Sequence, residues 1–335
     1  MEATTNMVRL GTNLPEHLIG TDQGALSEFL SAIEGLGYAY VTVGDHVLGA
    51  ETSVRPDWKP FFGTAPLYDR HMVWHEPLVL FGYLAALTTS LELCTGILIS
   101  PQRQTVMLAK QAAEADVLSG GRIRFVIAAG WNDVEYEALG VDFRKRGKIM
   151  EEQFDLMRLL WSEEVVNYNG HHHTVTAAGI NPLPVNRRIP LWVGGQSKVV
   201  LRRTGRKADG WFPYYPWFSE EQLRTDWEVI QQAARDAGRD PKEVGLEGAI
   251  YFADPRFEMP KGARTPPVEF EDCLEYAHWW KKFGADRFWV TLPWAEIGPE
   301  ETGVREPGKR WSGIETRIRE LERFKEALGA DYVAT

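Results

Sequence analysis

Cysteine and positive charge are both scarce in this chain, and each shortage removes a class of function. Two cysteines in 335 residues, Cys94 and Cys273, are too few for a disulfide framework or a cysteine-based zinc site. Cys94 sits in an apolar run, where a buried thiol is the default, so a reducing, cytoplasmic setting is expected. Lys and Arg number 37 against 47 Asp and Glu, a net charge of -10. That balance speaks against general nucleic-acid binding and against an anionic membrane surface. Any anionic ligand must be met by a local cluster of cations. No apolar run approaches the roughly 20 residues that span a bilayer, and Met1 to Pro15 has neither the charged region nor the apolar stretch of a secretion signal. There is no Walker loop, no Gly-x-Ser-x-Gly and no Cys-x-x-Cys.

What is present is an ordinary globular composition, 44% hydrophobic and 25% charged. Short runs of β-branched and apolar residues alternate with helical-period segments, the pattern of a parallel α/β fold. Eight strands are expected, at Val8 to Leu14, Tyr38 to Val43, Leu91 to Ile99, Ile123 to Ala129, Leu191 to Val193, Gly210 to Tyr214, Val244 to Phe252 and Arg287 to Leu292. Eight such strands with helices between them match a single (β/α)8 barrel, a TIM barrel, over 1–335 better than two domains. Helices are expected from Asp22 to Gly35, from Glu76-Pro77 onward, and from Gln104 to Leu118 before Ser119-Gly120-Gly121. Three connections are long enough to serve as lids or subsites, at 47–75, 164–189 and 293–311. The second reads as a hairpin turning at Asn169-Gly170. Tryptophan is abundant, 13 in all, and Trp58, Trp74, Trp131, Trp217 and Trp294 fall in loops, where large aromatics line ligand sites.

Four segments carry possible chemistry. Gly194-Gly195-Gln196-Ser197 leads from a strand into a helix, so its backbone can approach an anion and its free N–H groups can hold one. A tight turn before a solvated helix is the competing reading. The helix that follows holds Lys198, Arg202, Arg203, Arg206 and Lys207. Asp45-His46 follows the second strand, at the barrel end where active sites are built; His46 can exchange a proton near neutral pH, with Asp45 able to orient it. A histidine merely satisfied by its loop is the alternative. Gly96 interrupts the buried third strand, marking a bulge, a packing position or a close approach of ligand. Gly130-Trp131-Asn132 puts an aromatic and an amide on the same rim. His171-His172-His173 invites a metal reading, but adjacent residues of a strand face opposite ways and do not converge on one ion, so no metal is expected.

Taken together, HEPLVLFGYLAALTTSLELCTGILISPQRQTVMLAKQAAEADVLSGGRIRFVIAAGWNDVEYEALGVDFRKRGKIMEEQ, then IPLWVGGQS and KADGWFPY, resembles the bacterial luciferase-like flavin and deazaflavin oxidoreductases from Val8 to about Tyr214. Within that superfamily the chain is most similar to the branch presumed to use coenzyme F420, a 5-deazaflavin with a phosphate and an oligoglutamate tail. The resemblance implies a TIM barrel with the cofactor ring in its mouth and the phosphate on Gly194, Gly195, Gln196 and Ser197. It implies a bulge, often a non-proline cis peptide, at Gly96 to Ile97 behind the ring. Asn13, Gly130 and Trp131 complete the implied cofactor contacts, and His46 with Asp45 would be the catalytic pair. Where sugar-phosphate dehydrogenases of the family place a glutamate after the fourth strand, this chain has Trp131, so glucose 6-phosphate is not expected as substrate. A larger, less charged molecule is. The leading expectation is hydride transfer between the deazaflavin and a small organic substrate, with the five cations after Ser197 serving the anionic tail. The alternatives are a two-component monooxygenase using reduced FMN and oxygen, with a separate flavin reductase as partner, and a flavin-binding barrel without catalysis. A homodimer is implied by the resemblance.

Overall fold

The structure, a computed structural model, describes residues 8–55, 57–58, 68, 70–213, 219–251, 270–291, 312–329 and 332. Strands β1 (Arg9–Asn13) and β2 (Tyr40–Val43) flank helices α1 (Glu16–Ile19) and α2 (Gln23–Gly35). Then follow α3 (Pro77–Leu87), β3 (Glu92–Thr95), β4 (Leu98–Ile99), α4 (Thr105–Ser119), β5 (Ile123–Ala128), α5 (Asp133–Ala138) and α6 (Arg146–Ser162). A hairpin of β6 (Val166–Asn169) and β7 (Thr174–Ala178) precedes β8 (Leu191–Gly194), α7 (Lys198–Lys207), β9 (Gly210–Phe212) and α8 (Glu220–Asp236). The described chain ends with β10 (Gly245–Tyr251), α9 (Phe270–Phe283), β11 (Arg287–Thr291) and α10 (Ser312–Leu328).

The helices start where their caps dictate. Asp22 accepts hydrogen bonds from Gly24 N and Ala25 N ahead of α2. Glu76 does the same for Val79 N, with Pro77 in the first turn of α3. Gly120, at φ 70°, ends α4 in the left-handed region, as the Ser-Gly-Gly turn requires.

Strand pairing runs β3-β2-β1-β11-β10-β9-β8-β5, and β3 also pairs with β5, so the parallel sheet closes on itself. Eight strand positions make the ring, with β4 as the outer half of the third, so the expected (β/α)8 barrel is the fold. The third strand is two strands: Gly96 and Ile97 interrupt it at a cis peptide, the bulge expected there. Side chains alternate across the sheet. One set, including Tyr40, Cys94, Val126, Trp192, Phe212, Ala249 and Trp289, fills the barrel. The other packs the helices, with Phe29, Phe81, Leu108, Phe154 and Trp161 fully buried.

Of the long connections, the hairpin turns where expected, Gly170 N donating to His173 O. The 293–311 connection, Trp217 and Trp294 lie outside the described residues.

Candidate active site

The described loops at the C-terminal end of the barrel gather around His46. Its ring follows β2, and its Nδ1 lies 3.0 Å from Glu135 Oε1 on α5. Glu135 is enclosed, its side chain 1% exposed. It also accepts hydrogen bonds from Tyr68 OH and Gln102 Nε2, each at 2.7 Å. Burial works to raise this carboxyl, but the bonds from His46, Gln102 and Tyr68 outweigh it and hold Glu135 below the ordinary carboxylate value. A carboxylate only accepts, so His46 Nδ1 carries the proton and Nε2 is the basic nitrogen of the neutral ring.

The expectation that Asp45 orients His46 is corrected. Its Oδ2 accepts from Ile99 N at 2.8 Å and its Oδ1 from Arg103 Nη2 at 2.8 Å, so it ties the end of β2 to β4. Consecutive side chains of an extended segment diverge, which sends His46 and Asp45 to different partners. Arg103 also reaches Glu76, so this cation is engaged twice.

Glu16, absent from the sequence reading, lies just beyond β1. One carboxylate oxygen accepts from His75 N at 3.0 Å and the other from Gly44 N at 3.1 Å. Burial raises this group to about 7, the charge of Asp45 adding to the shift and the two backbone bonds opposing it. Trp74 packs so closely on Gly44 that a Cβ there would come within 2.3 Å of the indole.

An aromatic wall surrounds the histidine. Tyr68 lies 3.9 Å from the His46 ring, Trp74 4.7 Å and Trp131 6.2 Å, and Trp58 stacks on Trp131 at 6.5 Å. The short α5 and its cap Asn132 anchor Arg55, Trp58 and Tyr68. Asp133 accepts from Trp58 Nε1, Glu135 and Asn132 hold Tyr68, and Glu137 takes both terminal nitrogens of Arg55.

The Gly194 to Ser197 segment forms a cradle after β8, three strand positions round the ring from β2. Ile97 lies against Gly194, where a Cβ would fall 2.7 Å from its Cδ1, and Gly195 adopts φ 118°. Gly195 O accepts from Trp211 Nε1 at 2.9 Å, and Ser197 caps α7 by accepting from Val200 N. Apart from Val200 N, which Ser197 holds, the first N–H groups of α7 have no intrahelical partner, a geometry that suits an anion. Gly130, at φ 67°, leaves room for Ile99, which a Cβ would approach to 2.7 Å. Asn13 Oδ1 at the end of β1 and Trp74 Nε1 are buried without a hydrogen-bond partner. An acceptor and a donor left unmet at the His46 side of the barrel mouth, with a glycine-rich helix start elsewhere on the rim, fit a phosphate-bearing heterocycle with a polar edge.

The cation cluster after the cradle is smaller than expected. Arg203 is buried, pairing with Glu151 and donating to Gly147 O. Arg206 also pairs with Glu151, and Lys207 with Glu151 and Asp155. All three therefore bind α7 to α6. Lys198 and Arg202 are exposed and carry no ion pair among the described residues. The five-cation surface expected for an anionic tail reduces to these two.

The histidine triplet staples the hairpin to α6. Glu152 accepts from His171 N, His172 N and His173 Nδ1, while His173 Nε2 meets Thr105 Oγ1. Among the described residues, no group of three or more His, Cys, Asp or Glu side chains is placed to hold a metal ion, and no helix is long and apolar enough to cross a membrane.

Fold and site together define an enzyme of the luciferase-like type. The luciferase-like monooxygenase family model matches residues 8–268, and the chain belongs to that family. It is 32% identical over 192 residues to an uncharacterised protein of Mycobacterium tuberculosis, covering 56% of this chain and 67% of the relative. It is 28% identical over 220 residues to an F420-dependent glucose-6-phosphate dehydrogenase of Segniliparus rotundus, covering 64% of this chain and 60% of the relative. An F420-dependent secondary alcohol dehydrogenase, solved with an F420-acetone adduct, shares the fold at TM-score 0.69 and 15% identity, over 97% of this chain and 100% of that one.

Proposed function

We propose that this protein is a deazaflavin-dependent oxidoreductase that moves a hydride between coenzyme F420 and a small, uncharged organic substrate. The observation that carries this reading is His46, fixed on a buried carboxylate at the barrel mouth with Nε2 as its basic nitrogen. Gly194, Gly195, Gln196 and Ser197 would hold the phosphate, and Asn13, Gly96, Ile97, Gly130 and Trp131 would frame the ring. Bound there, the reduced deazaflavin supplies a hydride to a carbonyl carbon or activated alkene. His46, after taking a solvent proton on its basic Nε2, gives it to the oxygen or carbon that gains electron density, with Glu135 stabilising the imidazolium meanwhile. Tyr68, Trp74 and Trp131 keep water from the reacting atoms. The described cations near His46 are paired, Arg103 with Asp45 and Glu76 and Arg55 with Glu137, which favours an uncharged substrate over a sugar phosphate. We further propose one domain over 1–335, a cytoplasmic setting and a homodimer. The exposed Val79 and Tyr83 on α3, next to Met107 and Leu118 on α4, support the dimer. Light scattering would then give twice the 38.0 kDa chain mass.

Use of FMN is the second reading. The pairing of Arg203, Arg206 and Lys207 with α6 favours it, because fewer cations remain for a long anionic tail. In that case the enzyme is an oxygenase supplied by a flavin reductase. Oxidation of reduced F420 against a panel of ketones, imines and activated alkenes, under argon and in air, separates the two. Equal, substrate-dependent rates in both atmospheres are expected. Turnover requiring both oxygen and reduced FMN would overturn the deazaflavin reading.

A further inference from the structure

Trp131 stands where the resemblance implies a glutamate in the family's sugar-phosphate dehydrogenases, yet His46 does not lack a carboxylate. We propose that Glu135 is the positioning residue of the site: it sets the tautomer of His46. This rests on His46 being the proton-handling residue of the proposed reaction.

The geometry is specific. Glu135 Oε1 is shared by two donors, His46 Nδ1 at 3.0 Å and Tyr68 OH at 2.7 Å, and Oε2 takes Gln102 Nε2 at 2.7 Å. Tyr68 is itself held by Asn132 Nδ2 at 2.6 Å, and its ring lies 3.9 Å from that of His46. With three donors converging on a carboxylate that is 1% exposed, His46 is the only one whose proton has an alternative nitrogen to occupy. Were Glu135 absent, the neutral imidazole would be released to its intrinsically preferred Nε2–H form, with its basic nitrogen facing away from the reacting side. Tyr68 shares the same oxygen, so the aromatic ring packed on His46 and the imidazole itself are held by one carboxylate. The flanking acids of α5 reinforce the arrangement, Asp133 holding Trp58 and Glu137 holding Arg55. A carboxylate that served only to cap α5 would bond back to the helix, and Asn132 already fills that role at Val134 N.

The test uses the full-length protein with 15N-labelled histidine, and assigns His46 by the signal lost in His46→Asn. At a pH where the ring is neutral, the wild type should show His46 protonated at Nδ1. Glu135→Ala should show the Nε2–H form, with kcat/KM for F420-linked turnover down about 100-fold and F420 affinity within about twofold of wild type. Glu135→Gln keeps an oxygen for Nδ1–H, and Gln102 can turn its unpartnered Oε1 to the new amide. It should therefore retain the wild-type tautomer and lose about tenfold in rate. Circular dichroism melts confirm that each variant folds. An unchanged tautomer in folded Glu135→Ala overturns the proposal, whatever the rate does, and so does an unchanged rate with the tautomer switched. The nitrogen signals need no cofactor, so a wild type inactive with F420 would count against the proposed reaction alone.

Discussion

Glu16 is a buried acid of the site with a pH dependence of its own. Its carboxyl is raised by burial from 4.5 to about 7. Between those values the folded protein keeps a proton that the unfolded chain has released, so the group's contribution falls as pH rises through that window and is flat above it. The unfolding free energy of the wild type relative to Glu16→Gln, from urea titrations, should therefore decline by about 1 kcal/mol per pH unit from pH 5 to 7. A difference constant over that range contradicts the assignment. His46 was legible in the sequence because a histidine after a barrel strand lies at the reactive end. Glu135 was not, since Asn132-Asp133-Val134-Glu135 reads as a capping box, a purely local motif. Only the fold carries its carboxylate across to β2. Asp45 was legible as a residue of the rim but not in its role, because its partners Ile99 and Arg103 are more than fifty residues away along the chain.

The element whose role changes most is α7. In sequence it is a basic helix behind an expected phosphate cradle, with five cations expected to meet a tail. In the structure Arg203, Arg206 and Lys207 face acids of α6, which the sequence places some fifty residues earlier and which no local periodicity can pair. Lys198→Ala combined with Arg202→Ala should weaken F420 binding several-fold at low salt and flatten its salt dependence. Arg206→Ala, already paired with Glu151, should leave that dependence unchanged. Fluorescence titrations at a series of ionic strengths check both; an equal effect of all three substitutions contradicts the division. The strands, by contrast, were legible nearly throughout, since buried parallel strands declare themselves as continuous apolar runs. The break at Gly96 was visible as a glycine in such a run, and the hairpin as an Asn-Gly pair.

At the scale of the molecule, the barrel is closed at one end by chemistry and at the other by charge. Near the strand N-termini, Arg124 lies between the rings of Tyr40 and Trp192 and binds Glu247 and Glu92, while Arg287 and Arg9 complete Glu92. Burial works to raise Glu92, but Arg124, Arg287 and Arg9 hold it down at about 2. Arg124→Met leaves Glu247, wholly buried, without its cation, and should destabilise the fold by about 3 kcal/mol or more. Arg187→Ala, which breaks an exposed pair with Glu164, should change stability by less than about 1 kcal/mol. Equal urea midpoints for the two variants would contradict a structural role for the cluster. Count and order of strands made the closed barrel legible in the sequence. The ionic layer inside it was not, because Arg9, Glu92, Arg124, Glu247 and Arg287 meet only once the ring has closed.

The most direct test of the central claim is side-by-side equilibrium binding of coenzyme F420 and FMN to the purified protein, followed by fluorescence at several salt concentrations. Tight, salt-sensitive binding of F420 with much weaker binding of FMN is the predicted result. A preference for FMN, or F420 binding indifferent to salt, would contradict it.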